Sequence, residues 1–365
     1  MGKYFLYHMR KTVIRFIVMA LFLGVIVNMT AVAERTVYNS SATYYNVSLA
    51  AFAAFSLFAP AIVAGLEFAQ FMNRRNLDTW YSLPISRTDL FIVHFLNGAI
   101  QLTVSLFLGV IVAFIRIAIC SVLEVSHLWM FFAIIWALTM FLYMVVTFLF
   151  VCANNVFDGC IFMFGSVLFP AELYSIFLRF YIAFRYGSTR YAVLYDTGRE
   201  LPFDGFGIFS MLFTATDRYG CLINTRPYSY VTQGMMPDPA EFSMPQVLLW
   251  TMLSVAALAG AVLVFSKKKT ENVSGLSESW FGYRTLIPVV TAAGLCSTAY
   301  SAAMGMDRYM GVISMLGLIP TFIGVFVAYV IYRRGVKFKL PDILSIVGLV
   351  VFYPICLLAF KMMMG

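Results

Sequence analysis

The chain has 365 residues, of which 62% are hydrophobic and 12% are charged, and its formal net charge is +8. Soluble domains carry about a quarter charged residues, so this composition excludes an ordinary soluble protein and indicates a protein of the bilayer. The cations cluster at the ends of apolar runs, and we therefore interpret the positive charge as membrane topology rather than nucleic-acid binding.

Nine apolar runs are long enough to cross the hydrocarbon core of a membrane as helices, which takes roughly 20 residues each. The runs are continuous rather than alternating, which favours helices over the strands of a barrel. We therefore predict an all-α, polytopic integral membrane protein with six core spans and about three C-terminal spans. The predicted spans are residues 13–33, 49–71, 91–116, 128–152, 159–181, 246–266, 285–304, 309–332 and 342–361.

The predicted spans divide the chain into three parts. Residues 1–266 form the six-span core, residues 267–284 form a basic cytoplasmic linker, and residues 285–365 form the additional C-terminal spans. Within the core, residues 183–245 join the fifth and sixth spans and make up the long hydrophilic stretch of the chain. Span counting puts this insertion outside the cell.

The charge of the short loops predicts the orientation of the chain. Lysines and arginines precede the first span and follow the second, sixth and eighth, so these loops lie on one side. The positive-inside rule places that side, and with it the N-terminus, in the cytoplasm of a multi-pass cell-membrane protein. Pro341 and Pro354 leave open whether the ninth run spans the membrane or re-enters it. The cations are Lys3, Arg10, Lys11, Arg15, Arg74, Arg75, Arg87, Lys267, Lys268, Lys269, Arg284, Arg333, Arg334, Lys337 and Lys339.

A polar stretch at residues 73–90 separates the second and third spans. Pro84 ends a short amphipathic helix there, and Ser86 and Asp89 stand at capping-box spacing before the third span. Such a rigid elbow can transmit a push from a soluble partner. An ordinary interfacial helix with its aromatic rings among the lipid headgroups explains the pattern equally well. The apolar face of the helix holds Leu77, Trp80, Tyr81 and Leu83, opposite Arg74, Arg75 and Asp78.

The run Leu83-Pro-Ile-Ser-Arg-Thr-Asp-Leu-Phe91, preceded by Asn73-Arg-Arg-Asn-Leu-Asp-Thr-Trp-Tyr-Ser82, resembles the coupling region of ATP-binding-cassette (ABC) export permeases of the type-2 class. Six core spans and an extracellular insertion between spans five and six are similar as well. So is the basic run Lys267–Gly275, which carries a Glu and a Gly after span six. The resemblance covers about residues 1–275, and the last three spans depart from the six-span pattern.

The resemblance implies two cytoplasmic ABC ATPase subunits and a second permease subunit, identical or homologous, as partners. The partner ATPases would bind the ATP, because this chain has no G-x-x-x-x-G-K-[ST] phosphate loop. We expect no enzyme activity and no cofactor on the chain itself, contact with membrane lipids, and no nucleic-acid partner. The residues that the resemblance assigns to ATPase coupling are Arg74, Arg75, Leu77, Asp78, Trp80, Tyr81, Leu83, Pro84 and Arg87.

Polar residues inside the predicted spans are candidates for a transport pathway. Glu67, near the cytoplasmic end of the second span, can snorkel or contact an arginine of the loop that follows. His94, Asn97 and Gln101 lie at i, i+3 and i+7 on the third span and form a polar stripe. Interhelical hydrogen bonding and lining of a pathway both explain this stripe.

The fifth span carries three further pathway candidates. Pro170 removes a backbone hydrogen bond and predicts a kink or break near Ser166. Glu172 and Arg179 share a face but lie roughly 10 Å apart along the axis, so they do not pair directly. Either the charges belong to an outer gate, or the break lets them reach the outer interface.

The sequence predicts neither a metal site nor a catalytic site. The six cysteines form no C-x-x-C motif and no cluster with histidine. The three histidines, His8, His94 and His127, are dispersed along the chain and form no recognisable arrangement with a serine and a carboxylate.

The expected function is ATP-driven export of a substrate, with an amphiphile or an antimicrobial peptide as candidate cargo. An ion-gradient-driven secondary transporter or channel is an alternative, which would require clustered intramembrane acids or paired broken helices in an inverted repeat. A non-transporting membrane sensor or scaffold that presents residues 183–245 is another.

Overall fold

The structure is a computed structural model that describes most of the helical part of the chain. For residues 34–38, 42–46, 117, 127, 166–172, 175, 186, 244–245, 308–317 and 364 it describes the backbone alone. The described residues are 2–30, 34–38, 42–46, 49–74, 84–119, 127–186, 208, 211–212, 215–216, 244–268, 271, 273–275, 277, 279–303, 308–336 and 338–364.

Nine long helices account for most of the described residues, and each overlaps one predicted span, so the all-α class is confirmed. Helix α2 continues into a 3₁₀ turn at Ala69–Met72. The helices are α1 Gly2–Thr30, α2 Ala50–Phe68, α3 Arg87–Ile119, α4 His127–Cys152, α5 Val156–Tyr186, α6 Met244–Lys267, α7 Tyr283–Ala303, α8 Arg308–Arg333 and α9 Leu340–Met364.

The described helices confirm the polytopic membrane class. Seven of them, α1 to α4, α6, α7 and α9, are long and apolar enough to cross a membrane. In α5 and α8 the described apolar stretches are shorter, at Val156–Gly165 and Leu318–Arg333. Helix α9 is one continuous helix from Leu340 to Met364 rather than a re-entrant pair.

Three features differ from the sequence prediction. Helix α1 begins at Gly2, well before the predicted span, because its cationic first turns stay helical with Lys3, Arg10 and Lys11 exposed. Helix α5 runs through Pro170 without a break. A two-stranded antiparallel hairpin, β1 Glu34–Tyr38 and β2 Ala42–Asn46, follows α1.

The chain divides into two compact units. The first comprises Met1–Val151 and Ile208–Lys268, and the second comprises Cys152–Gly207 and Lys269–Gly365. The first unit therefore contains α1 to α4, α6 and the hairpin, and the second contains α5 and α7 to α9. The predicted boundary at residue 266 divides the chain differently, and the six-span core stays a prediction.

In the first unit, four phenylalanines tie the end of α2 to the start of α3 and the end of α6. The ring centroids of Phe68 and Phe91 lie 5.3 Å apart, and those of Phe71 and Phe265 lie 5.2 Å apart in an edge-to-face arrangement. Phe91 and Phe265 are separated by 5.6 Å. Such pairs contribute about 0.5–1.5 kcal/mol each beyond their buried area. The three helix ends therefore form one aromatic-packed group.

In the second unit, Asp158 near the start of α5 holds the segment that leads into α7. Its carboxylate accepts hydrogen bonds from Ser277 Oγ at 2.6 Å, Tyr283 OH at 2.9 Å and Asn155 Nδ2 at 2.7 Å. Asn155 Oδ1 in turn accepts the backbone N–H of Asp158 at 2.8 Å, which caps α5. Arg333 joins α8 to α9 through two hydrogen bonds to Asp342, at 2.7 and 2.8 Å.

Candidate functional site: a buried polar cluster in the first unit

Glu67 lies near the end of α2 and is completely buried. It therefore does not snorkel toward water, which the sequence alone allows. An ionised carboxylate without water needs donors from the protein, because burial of an uncompensated charge is strongly unfavourable. The donors around Glu67 come from two other helices.

Both carboxylate oxygens of Glu67 are occupied. Oε2 accepts hydrogen bonds from His8 Nε2 at 2.7 Å and from His94 Nδ1 at 2.9 Å. Oε1 accepts from Asn97 Nδ2 at 2.9 Å and lies 3.5 Å from Arg15 Nη1. The Arg15 side chain is 42% exposed, whereas those of His94 and Glu67 are fully buried.

Helical spacing brings these donors together. On α1, His8 and Thr12 are one turn apart, and on α3, His94 and Asn97 are three residues apart, so each pair shares a face. The Thr12 hydroxyl lies 3.1 Å from Asn97 Nδ2, which donates to it. Thr12, Asn97 and Glu67 are all buried. One face of α1 is therefore linked by hydrogen bonds to one face of α3.

A second layer of polar groups surrounds His94. Tyr4 OH lies 3.1 Å from His94 Nε2, and Gln70 Nε2 donates to the backbone oxygen of Glu67 at 3.1 Å. Because Glu67 accepts, the shared hydrogens lie on His8 Nε2 and His94 Nδ1. The Tyr4 hydroxyl then donates to His94 Nε2. A neutral imidazole at position 94 satisfies the contacts with Glu67 and Tyr4, and Gln70 Nε2 lies 3.2 Å from its Nδ1.

Three side chains of the cluster are also potential metal ligands. One ligand atom each from His8, Glu67 and His94 lies within 4.8 Å of the other two, and all three residues are buried. The sequence gives no sign of this group, because the three residues come from three different helices and share no spacing motif. The available signals are that Glu67 is an acid inside a predicted span and that His94 is predicted on a polar face.

The remaining member of the stripe, Gln101, is only partly satisfied. Its Nε2 lies 3.0 Å from Met19 Sδ, while its Oε1 has no hydrogen-bond partner among the described residues. One turn further along α3, the buried Ser105 hydroxyl also lacks a described partner. The interhelical hydrogen bonding predicted for His94 and Asn97 is confirmed, and lining of a pathway stays a prediction.

The predicted coupling segment is described at its two ends. Arg75, Leu77, Asp78, Trp80, Tyr81 and Leu83 lie outside the described residues; Arg74 and Pro84 are exposed. Ser86 Oγ accepts the backbone N–H of Asp89 at 3.1 Å, which confirms the predicted cap of α3.

Arg87, the first residue of α3, is held at the end of α6. Its Nη1 donates to the backbone oxygen of Lys268 at 2.7 Å, and Lys268 Nζ donates to the backbone oxygen of Val151 at 3.0 Å. The start of α3 is therefore connected to the ends of α6 and α4 by two charged hydrogen bonds.

The pathway candidates of α5 belong to the second unit. Pro170 and Glu172 are described by their backbone alone. The guanidinium carbon of Arg179 lies 5.5 Å from the centroid of the Tyr300 ring on α7, a cation–π contact. The buried Nε of Arg179 has no hydrogen-bond partner in the described part of the chain.

No family model, curated protein or solved structure matches this chain. A functional proposal therefore depends on the residues of the chain and on the geometry described above.

Proposed function

We propose that this chain is the membrane-spanning permease subunit of an ABC exporter. It would move a substrate, an amphiphile or antimicrobial peptide, across the cell membrane with ATP hydrolysed by a separate cytoplasmic ATPase. Two such ATPases and a second permease subunit would complete the transporter. The sequence of residues 73–90 motivates this proposal.

The observation that carries the proposal is the anchoring of Arg87. A coupling segment has to transmit movement of the ATPase to the membrane helices. A segment attached to one helix only would bend at that attachment and would not move the other helices. Arg87 and Lys268 connect the C-terminal end of this segment to α6 and α4. The contacts among Phe68, Phe91 and Phe265 connect it to the end of α2.

The proposed mechanism follows from these connections. ATP binding closes the partner ATPases, and their movement displaces residues 73–90. Because α2, α3 and α6 are packed together at this end, they tilt as a group rather than singly. The tilt opens a path between the two permease subunits, and ATP hydrolysis restores the starting state.

Copurification tests the proposal. The chain is coexpressed with the protein encoded by the neighbouring reading frame, and complex formation and ATP hydrolysis are measured in lipid nanodiscs. We expect a stable complex whose ATPase activity falls to that of the isolated ATPase in Trp80→Ala. Trp129→Ala, which truncates a half-exposed tryptophan at the start of α4, is the matched control and should retain full activity.

The exporter proposal is wrong if no ATPase binds the chain. It is also wrong if Trp80→Ala and Trp129→Ala have the same effect on ATP hydrolysis, because Trp80 would then have no special role in coupling.

The second candidate is an ion-gradient-driven transporter, and the burial of Glu67 favours it. A buried intramembrane carboxylate with two histidines is a typical place for ion or proton coupling. The chain alone, reconstituted in vesicles with an imposed potential and an internal pH dye, would then conduct protons. Glu67→Gln would abolish this flux, whereas the exporter proposal predicts no flux from the chain without its ATPase.

A further inference from the structure

The cluster around Glu67 has more ligand groups than a hydrogen-bonded helix contact requires. Two of the three histidines of the chain meet on a single carboxylate oxygen. The His8 and His94 rings are 4.1 Å apart between centroids, in an edge-to-face arrangement. Imidazole nitrogen and carboxylate oxygen are the ligands of first-row divalent metals, and Zn²⁺ in particular binds sets of two histidines and one glutamate.

The charge balance around Glu67 also favours a bound cation. Glu67 is fully buried, and in the described part of the chain the permanent cation beside it is Arg15, 3.5 Å away with a side chain that is 42% exposed. Among the described residues this half-hydrated arginine supplies the formal positive charge in contact with the carboxylate, and the other donors, His8, His94 and Asn97, can be neutral. A divalent cation held directly by the carboxylate would compensate it fully.

We propose that His8, Glu67 and His94 bind a Zn²⁺ ion, with His8 Nε2, His94 Nδ1 and Glu67 Oε2 as ligands. Three protein ligands leave the fourth tetrahedral position to a water molecule. This site does not depend on the exporter proposal and would exist in any of the functional alternatives.

To accept the ion, the three ligand atoms, which now lie within 4.8 Å of one another, must reach the spacing of a tetrahedral centre. Two ligands of a tetrahedral zinc centre lie about 3.3 Å apart, so the carboxylate oxygen must move roughly 0.5 Å away from each ring. It now lies 2.7 Å from His8 Nε2 and 2.9 Å from His94 Nδ1. Each imidazole remains neutral and changes only its tautomer, which frees the coordinating nitrogen.

Two of the three ligands, His94 and Glu67, already have outer hydrogen-bond partners of the kind found at metal sites. Metal-bound histidines donate their other N–H to an acceptor, and ligating carboxylates are themselves hydrogen-bonded. Tyr4 OH lies 3.1 Å from Nε2 of His94 and can accept its hydrogen. Asn97 Nδ2 holds the second oxygen of Glu67 at 2.9 Å. The bound ion would fasten the first turns of α1 to the ends of α2 and α3.

Metal binding by the purified full-length chain tests the site. The protein is stripped with a chelator, and its affinity for Zn²⁺ is measured in nanodiscs by competition with a chromogenic zinc chelator. We expect one Zn²⁺ per chain, with affinity lowered about 10–100-fold in the outer-layer variant Asn97→Ala and further in Glu67→Gln. His127→Ala, which changes the remaining histidine, should bind zinc as the unmodified protein does.

Cobalt gives a second readout that does not require removal of a ligand. In His8→Cys a thiolate replaces the imidazole as ligand, so the Co²⁺ form should acquire a sulfur-to-metal charge-transfer band, which His127→Cys should lack. The proposal is overturned if the unmodified chain binds no zinc. It is equally overturned if Glu67→Gln retains full affinity, or if His8→Cys shows no such band while it binds Co²⁺.

Discussion

At the scale of single residues, two amides on the same face of α3 have opposite environments. Asn97 donates to the buried Glu67 carboxylate at 2.9 Å, whereas Gln101 leaves its Oε1 without a described partner. A hydrogen bond to a charged group contributes about 1.5–3 kcal/mol, while a buried polar atom without a partner costs free energy. The two side chains should therefore respond differently to the same replacement.

We expect Asn97→Leu to lower the free energy of unfolding by about 2 kcal/mol, since Glu67 Oε1 would lose its best donor. Gln101→Leu, the matched control one turn away, should leave stability unchanged or raise it, because it removes an unsatisfied oxygen. Thermal unfolding in detergent, followed by size-exclusion chromatography, measures both. Equal destabilisation by the two variants would contradict the hydrogen-bond network described here.

Gly98 of α3 marks a close helix contact. A Cβ atom at this position would meet the hydroxyl of Tyr143 on α4 and would lie 2.8 Å from Val63 Cγ1 on α2. We expect Gly98→Ala to destabilise the protein by about 1–3 kcal/mol through overpacking. Gly65→Ala, where a Cβ meets nothing within 4 Å, should be neutral or stabilising.

The Tyr143 hydroxyl is the main obstacle at Gly98, so its removal should relieve part of the strain. The double variant Gly98→Ala/Tyr143→Phe should be more stable than the sum of the two single changes predicts. Tyr143 OH donates to the Phe95 backbone oxygen at 3.3 Å, and Tyr143→Phe alone should cost about 1 kcal/mol. Strict additivity in the same unfolding measurement would show that the clash lies elsewhere.

The candidate site shows which residues the sequence can and cannot identify. Periodicity on α3 places His94, Asn97 and Gln101 on one face, because that inference needs only the geometry of one helix. Their partners His8 and Glu67 come from other helices, and no local pattern encodes which helices become neighbours. His8 was also outside the predicted first span, since the cations around it break the apolar run.

At the scale of elements, the local sequence predicts where a helix begins better than it predicts whether a helix continues through a proline. Ser86 caps α3 as its spacing with Asp89 predicts, because a cap involves only adjacent residues. Pro170 does not break α5, since neighbouring helices can satisfy a freed backbone group in a membrane protein. Proline is therefore a weak boundary signal in these spans, and Pro288 and Pro320 also lie inside helices.

The Asp158 carboxylate of α5 accepts two side-chain hydrogen bonds from the residues that lead into and begin α7. Asp158→Ala would leave the hydroxyls of Ser277 and Tyr283 without their acceptor in a buried place. We expect a loss of about 3 kcal/mol in the free energy of unfolding. Glu271→Ala, an exposed acid in the same segment, should have no effect. Faster proteolysis within residues 269–283 in Asp158→Ala alone would support this role, whereas equal cleavage of both variants would contradict it.

At the scale of the whole molecule, composition and span count predict the class of the protein but not how its helices are grouped. The length of an apolar run can be read from that run alone, so all nine helices can be predicted from the sequence. Membership of the two compact units depends instead on which helix faces fit together. The fifth helix belongs to the same unit as α7 to α9, as the contact of Arg179 with Tyr300 illustrates.

The orientation of the chain in the membrane is predicted from charge, and this prediction is the premise on which a cytoplasmic ATPase could reach residues 73–90. Lys3, Arg10 and Lys11 are exposed on the first turns of α1, the helix end at which His8 meets Glu67. Moving these cations across the bilayer is unfavourable, so this end should remain cytoplasmic.

Reporter fusions measure this orientation. We expect green fluorescent protein to fluoresce when it is fused before Gly2, and alkaline phosphatase to be active when it is inserted within residues 183–245. Alkaline phosphatase fused after Lys268 should be inactive, because α6 returns the chain to the side on which α1 begins if the predicted spans hold. The reverse pattern would put the segment between α2 and α3 outside the cell, where no ATP-hydrolysing subunit could bind it, and the exporter proposal would then have to be abandoned. The zinc site would survive that result, since its three ligands belong to one compact unit whichever way the unit faces.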